Sequence, residues 1–203
     1  QRGQEYDFAI IGSSRGLSSV DVAALEKALD MRGINLAENG ASYAENDLVL
    51  RYFLAHNRIR YLLVQIDIGA FDNSFLSCPF HAPYFMPYLD EGIVYDCYRA
   101  YFGPKAYAWR YIPFFKYAEF NNQIGVPNIV NILTHARQEF NEQGAFLLDE
   151  VYVNSPETYQ KVIWKIEEPQ IGYFQKMLDT ARQHGVRVIF FMAPYYARAY
   201  QSY

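Results

Sequence analysis

Three short apolar runs, each ending in a loop of small or polar residues, constrain this chain more than anything else in it. Tyr6-Asp7-Phe8-Ala9-Ile10-Ile11 ends at Gly12, and Ile34-Asn35-Leu36-Ala37 ends just before a turn at Asn39-Gly40. Tyr61-Leu62-Leu63-Val64-Gln65-Ile66 ends at Asp67. Runs this short and this apolar read as buried strands. Helical patterns lie between them. Ser19 reads as the N-cap of a helix with Val22, Leu25, Ala28 and Leu29 on one face, closed by Gly33. Ser42 and Glu45 form a capping box for a helix from Tyr43 to His56. Alternating βαβαβ elements with short loops predict a parallel sheet with helices on both faces. Near the end, a long helix starting at about Pro156 or Pro169 stops at His184-Gly185, and Val186–Met192 reads as a fourth strand.

The rhythm breaks after Asp67. Residues 71–155 read as one insertion in a single domain that spans 1–203. The insertion carries Pro79, Pro83, Pro87, Pro104, Pro113 and Pro127, with one helix expected from about Asn128 to Glu142. It also holds a concentration of rings: 17 of the 36 aromatic residues fall in the 50 positions from Phe71 to Phe120. Such rings either fill a small core of their own or form a platform whose faces stack on sugars or acyl chains. A contact surface for a protein or membrane is the third reading. Tyr84 and Trp109 are candidate substrate-binding rings, and His81 between Phe80 and Ala82 is a candidate polar contact beside them.

Composition closes several routes. The net charge is −4, with no cluster of Lys and Arg, so a nucleic acid is not an expected partner. No run of 18 apolar residues crosses a membrane. Cys78 and Cys97 fit no zinc pattern, and their spacing does not say whether they pair. Asp67 and Asp72 share a strand end, but carboxylates there usually serve loop hydrogen bonds, so neither a metal nor a cofactor is expected.

Ligands of open α/β sheets bind outside the carboxyl ends of the strands. Gly12-Ser13-Ser14-Arg15-Gly16 stands at the first such end. A Ser in a strand-to-helix turn exposes its hydroxyl, and backbone N–H groups there suit an oxyanion. The bland alternative is that Ser13 and Ser14 serve the turn. The loop lacks the spacing of a dinucleotide or phosphate-binding fingerprint. Arg15 is a candidate for an anionic group of a substrate.

Gly12-Ser13-Ser14, Asn39-Gly40 and Gly69-Ala70-Phe71-Asp72, one after each strand, resemble the blocks of the SGNH (GDSL-type) hydrolase family. The order looks most like the extracytoplasmic branch that modifies cell-envelope polymers and includes the teichoic-acid D-alanylation proteins. The resemblance covers roughly residues 7–73, with an echo from Gly185 to Pro194. It implies a three-layer α/β sandwich with a mostly parallel, flavodoxin-like sheet. It also implies Ser14 as nucleophile, with the N–H groups of Ser14 and Gly40 as oxyanion donors.

Two departures stand out. Phe71 occupies the position where the family has an Asn that donates to the oxyanion, and Phe donates nothing. Asn73, two residues on, is the alternative donor. The family's base is the His of an Asp-x-x-His block after the last strand, but Ala193-Pro194-Tyr195-Tyr196-Ala197-Arg198 contains no His. His56 and His184 sit near helix ends, His135 lies inside an expected helix, and His81 lies in the insertion. The first residue is Gln1, so the favoured explanation is a chain trimmed at its start and stopped before that block; the other is a fold retained for binding.

Three functions follow as expectations. The first is a serine esterase or O-acyl transferase acting on an acylated glycan or envelope polymer, outside the cytoplasm and held near a membrane by a segment outside this chain. The second is a non-catalytic domain of the same fold that binds a glycan or a partner protein. The third is a flavodoxin-like nucleotide or phosphate domain.

Overall fold

The computed structural model describes residues 2–67, 69–72, 81–134, 141–146, 165–166 and 168–194. Its fold is α/β with a four-stranded, all-parallel sheet in the order β2-β1-β3-β4. The strands are β1 (Phe8–Ile11), β2 (Gly33–Asn35), β3 (Tyr61–Gln65) and β4 (Arg187–Phe191). Phe8 pairs with Gly33 on one side and Tyr61 on the other, and Tyr61 in turn pairs with Arg187.

Strand periodicity separates two apolar faces. Ala9, Ile11, Leu62 and Val64 face helices α3 (Tyr43–Leu54) and α9 (Glu168–Gln183), where Tyr43, Leu50, Phe53, Met177 and Ala181 complete the core. Phe8 and Ile10 face the other way, onto Val22 and Leu25 of α2 (Val22–Leu29). The expected layering of helices on both faces is therefore present.

The first crossover differs from expectation in detail. A short helix α1 (Ser14–Ser19) starts immediately after β1, capped by Ser13, and α2 is capped by Asp21 instead of Ser19. Asp21 wins because its carboxylate accepts from the Ala24 N–H, which commits the chain to a break at Val20. Asp30, in the left-handed region at φ 52°, ends α2. Gly33 instead opens β2, where the Phe8 ring lies over its Cα and leaves no room for a side chain. The Ser42–Glu45 capping box forms as expected. Gly185, at φ 69°, follows α9.

The chain divides into two compact units, Gln1–Pro79 with Phe140–Tyr203, and Phe80–Glu139. The first holds the sheet. Of the helix expected from about Asn128 to Glu142, α8 covers Val126–Thr134 among the described residues, whereas Asn141–Phe146 forms a turn in the sheet-bearing unit. There the Asn35 N–H donates to the Gln143 carbonyl at 2.7 Å, and Gly144 packs on the Asn35 backbone. The second unit contains α4 (Ala82–Phe85), α5 (Gly92–Phe102), α6 (Pro104–Tyr111), α7 (Phe115–Glu119) and α8. Its rings form a core of their own: Trp109 packs against Tyr98, Phe102 and Phe120 at centroid distances of 6.1, 5.1 and 5.5 Å. No helix among the described residues is long and apolar enough to cross a membrane.

Candidate functional site

The strand order places a topological switch at the carboxyl ends of β1 and β3. The chain leaves β1 toward β2 on one side and returns across β1 to form β3 on the other, which opens a crevice between the two strand ends. Ser13 follows β1 there, and Gln65 and Asp67 end β3.

These three side chains are joined. The Ser13 Oγ–H donates to Asp67 Oδ2 at 2.7 Å, and the Ser13 N–H donates to Gln65 Oε1 at 3.0 Å. Ser13 Oγ also lies 3.0 Å from Gln65 Oε1, but a hydroxyl has one proton and the ionised carboxylate is the stronger acceptor. Arg15 Nη1 lies 2.9 Å from Asp67 Oδ1. Asp67 thus bridges both residues that flank Ser14. Ser14 itself is the first residue of α1, exposed to solvent, and its Oγ has no hydrogen-bond partner among the described residues.

The loop after β2 is tied to the same edge, because the Glu38 N–H donates to the Gly12 carbonyl at 3.2 Å. Gly40 turns there at φ 72°. A cavity of about 20 Å³ lies beside Ser13 and is lined by Ala41, Tyr43, Asn46, Gln65 and Asp67 as well. Neither Ser14 nor Gly40 lines it. Tyr43, Asn46 and Gln65 are each at most 3% exposed. The Tyr43 hydroxyl and Gln65 Nε2 are buried without a hydrogen-bond partner among the described residues. Burial pushes the Tyr43 phenol well above its ordinary range, and the negative charge of Asp67 adds to that rise. Phe71 packs on Tyr43 at 5.1 Å and buttresses this side of the cavity.

The remaining candidates separate. Arg15, weighed as an anion binder, is paired with Asp67. Trp109 is a core residue instead of an open sugar face: it is buried, and its Nε1–H donates to Glu119 Oε2 at 2.6 Å. Tyr84 is exposed and His81 packs against it at 5.3 Å, both within the helical unit. His56 Nδ1 and His184 Nδ1 lie 2.8 and 2.9 Å from the carbonyls of Tyr52 and Thr180 at the far ends of α3 and α9. Cys97 is buried on α5. Asn73, Cys78, His135, Pro156 and the loop after Pro194 lie outside the described residues. No group of three His, Cys, Asp or Glu among the described residues is placed to hold a metal.

At the sequence level Asp67 reads as a metal ligand or, more readily, a loop hydrogen-bonder, and it is the latter; Tyr43, Asn46 and Gln65 carried no site role there. The signals were a polar residue closing a buried strand, and a Tyr and an Asn three apart just after a capping box. Residues so spaced share one helix face, here at the ligand-binding edge of the sheet.

No protein-family model, curated protein or solved structure matches this chain.

Proposed function

We propose that the sheet-bearing unit carries out SGNH-type acyl-ester chemistry, hydrolysis or O-acyl transfer, with Ser14 as nucleophile and an acylated glycan or envelope polymer as substrate. One observation carries this reading. Of two adjacent serines at the switch point, Ser13 is tied down by Asp67 and Gln65, whereas the Ser14 hydroxyl is exposed and without a partner among the described residues. The Gly12-Ser13-Ser14 and Asn39-Gly40 loops that resemble the SGNH blocks are held at the same sheet edge.

In this chemistry Ser14 Oγ attacks the ester carbonyl carbon while a base takes its proton. The C–O bond to the alcohol breaks, and the base returns the proton to the departing alkoxide. Water or a second hydroxyl then takes the acyl group from Ser14. The N–H groups of Ser14 and Gly40 are the proposed oxyanion donors. His56 and His184 lie at the ends of α3 and α9 that lead into the amino ends of β3 and β4, away from Ser14. The base in this proposal is a His outside the described residues. An extracytoplasmic location belongs to the same proposal.

The test is reaction of the folded protein with a fluorophosphonate probe, with the modified peptide identified by mass. Labelling at Ser14 that is lost in Ser14→Ala and kept in Ser13→Ala is the expected result. A folded protein that stays unlabelled sinks the catalytic reading.

A second reading, a non-catalytic domain that binds a glycan or partner protein, is favoured by one observation. Asp67, a carboxylate at this loop, is already engaged by Ser13 and Arg15. It predicts glycan binding without labelling. The phosphate-domain reading is the weakest, because a phosphate at Ser13 would meet the Asp67 carboxylate.

A further inference from the structure

The cavity beside Ser13 is not part of the chemistry proposed for Ser14, yet it contains two buried hydrogen-bonding groups that have no partner among the described residues. Leaving such groups unsatisfied is costly, so their presence at the carboxyl end of the sheet calls for an occupant. We propose that this cavity is a subsite for one neutral hydroxyl group of a ligand, such as a single alcohol of a sugar or polyol.

The orientation of the donors is settled by the backbone. The Ser13 N–H can only donate, so the Gln65 atom facing it at 3.0 Å is the carbonyl oxygen. The Gln65 amide nitrogen is thereby left to the cavity as a donor. Tyr43 supplies a second donor, and its raised pKa keeps that proton in place through neutral and moderately alkaline pH. Asp67, also on the wall, is an acceptor, and the Asn46 amide there can serve in either role. A hydroxyl has two lone pairs and one proton, which matches two donors and one acceptor.

Size and charge exclude the other classes. About 20 Å³ admits one oxygen-sized group and not a carboxylate or phosphate. An anion would stand against Asp67, and a cation would face two donors beside a carboxylate already paired with Arg15. The Asp67 side chain keeps 18% exposure, so the carbon that bears the hydroxyl has a way out to solvent. A water molecule satisfies the same three groups, and the test separates it from an alcohol.

The full chain labelled with ¹⁵N is titrated with glycerol and, separately, with methyl glucoside and acetate, and the Gln65 side-chain amide signals are followed. The expected result is a saturating shift confined to Gln65 and its neighbours with either hydroxyl compound, against a linear drift elsewhere and none with acetate. Tyr43→Phe keeps the ring packing and is expected to weaken the response about tenfold, the equivalent of one lost hydrogen bond to a buried partner. Gln65 signals that do not move at molar glycerol identify a water site and overturn the proposal. So does an undiminished response in Tyr43→Phe, or saturation by acetate. The readout is Gln65, so this result is distinct from the labelling outcome at Ser14.

Discussion

Ser13 and Asp67 stand 54 residues apart in the chain and 2.7 Å apart in space, joined by a charge-assisted hydrogen bond across the crevice between β1 and β3. That bond makes neighbouring serines unequal. Ser13→Ala removes it together with the weak N-cap contact to the Arg15 N–H. It is expected to lower unfolding free energy by about 1–3 kcal/mol in urea titrations. Ser14→Ala removes no bond among the described residues and is expected to stay within about 0.5 kcal/mol of the parent. Equal losses from the two substitutions would refute this assignment.

Tyr43 predicts a response to alkali. Its phenol pKa is higher in the folded chain than in the unfolded one, so folding favours the protonated form. That contribution is complete below the unfolded value near 10 and is lost as pH rises above it. Melting temperature is expected to fall more steeply between about pH 9 and 11 in the parent than in Tyr43→Phe. At neutral pH the Phe variant is expected to be as stable or up to about 1 kcal/mol more stable, since it deletes an unsatisfied hydroxyl and keeps contacts to Phe71 and Phe174. Parallel pH profiles for the two proteins would contradict the burial of this group.

Acid acts on the helical unit. Burial pushes the Glu119 carboxyl up, but hydrogen bonds from Lys105 and Trp109 and the Lys105 charge outweigh it, and the net shift is downward. A depressed pKa stabilises the fold above the unfolded value near 4.3, and that stabilisation fades as pH drops through the folded value. Glu119→Gln is expected to cost no more than about 1 kcal/mol at pH 7, because the Lys105–Glu119 pair is half open to water. The difference from the parent should be smaller at about pH 3 than at about pH 7. Urea midpoints read at both pH values check it.

Gly33 tests the sheet itself. A Cβ at this position collides with the Phe8 ring, its partner in register on β1. Gly33→Ala is expected to destabilise by about 2–3 kcal/mol. Adding Phe8→Leu, which shortens the obstructing ring, should recover part of that loss, so the double mutant is more stable than additivity predicts. Strict additivity would show that the two side chains do not meet.

The strands and the capping box were legible because each rests on local chemistry: apolar runs closed by polar loops, and a Ser three residues before a Glu. The break at Val20 was not, because Ser19 and Asp21 are both good caps and only the choice of Asp21 ends the first helix early. At the site, Ser14 and Gly40 were visible in short motifs beside their strands. Tyr43, Asn46 and Gln65 were not, since their meaning depends on α3 delivering its first turn to the end of β3. Trp109 was misjudged for a related reason. An indole suited to stacking on a sugar is equally suited to a core, and its partners Tyr98, Phe102 and Phe120 decide the matter.

β2 is three residues long and sits at an edge of the sheet, where an unpaired N–H invites a strand from another molecule. Gln143 closes that opening at Asn35, and Gly144 is small enough to lie flat on its backbone. The segment that guards the edge is reached only after the chain has passed through the helical unit. A full-length chain in which Asn141–Phe146 is displaced from β2 would therefore carry an open edge, and self-association, more than loss of the sheet, would be its first failure.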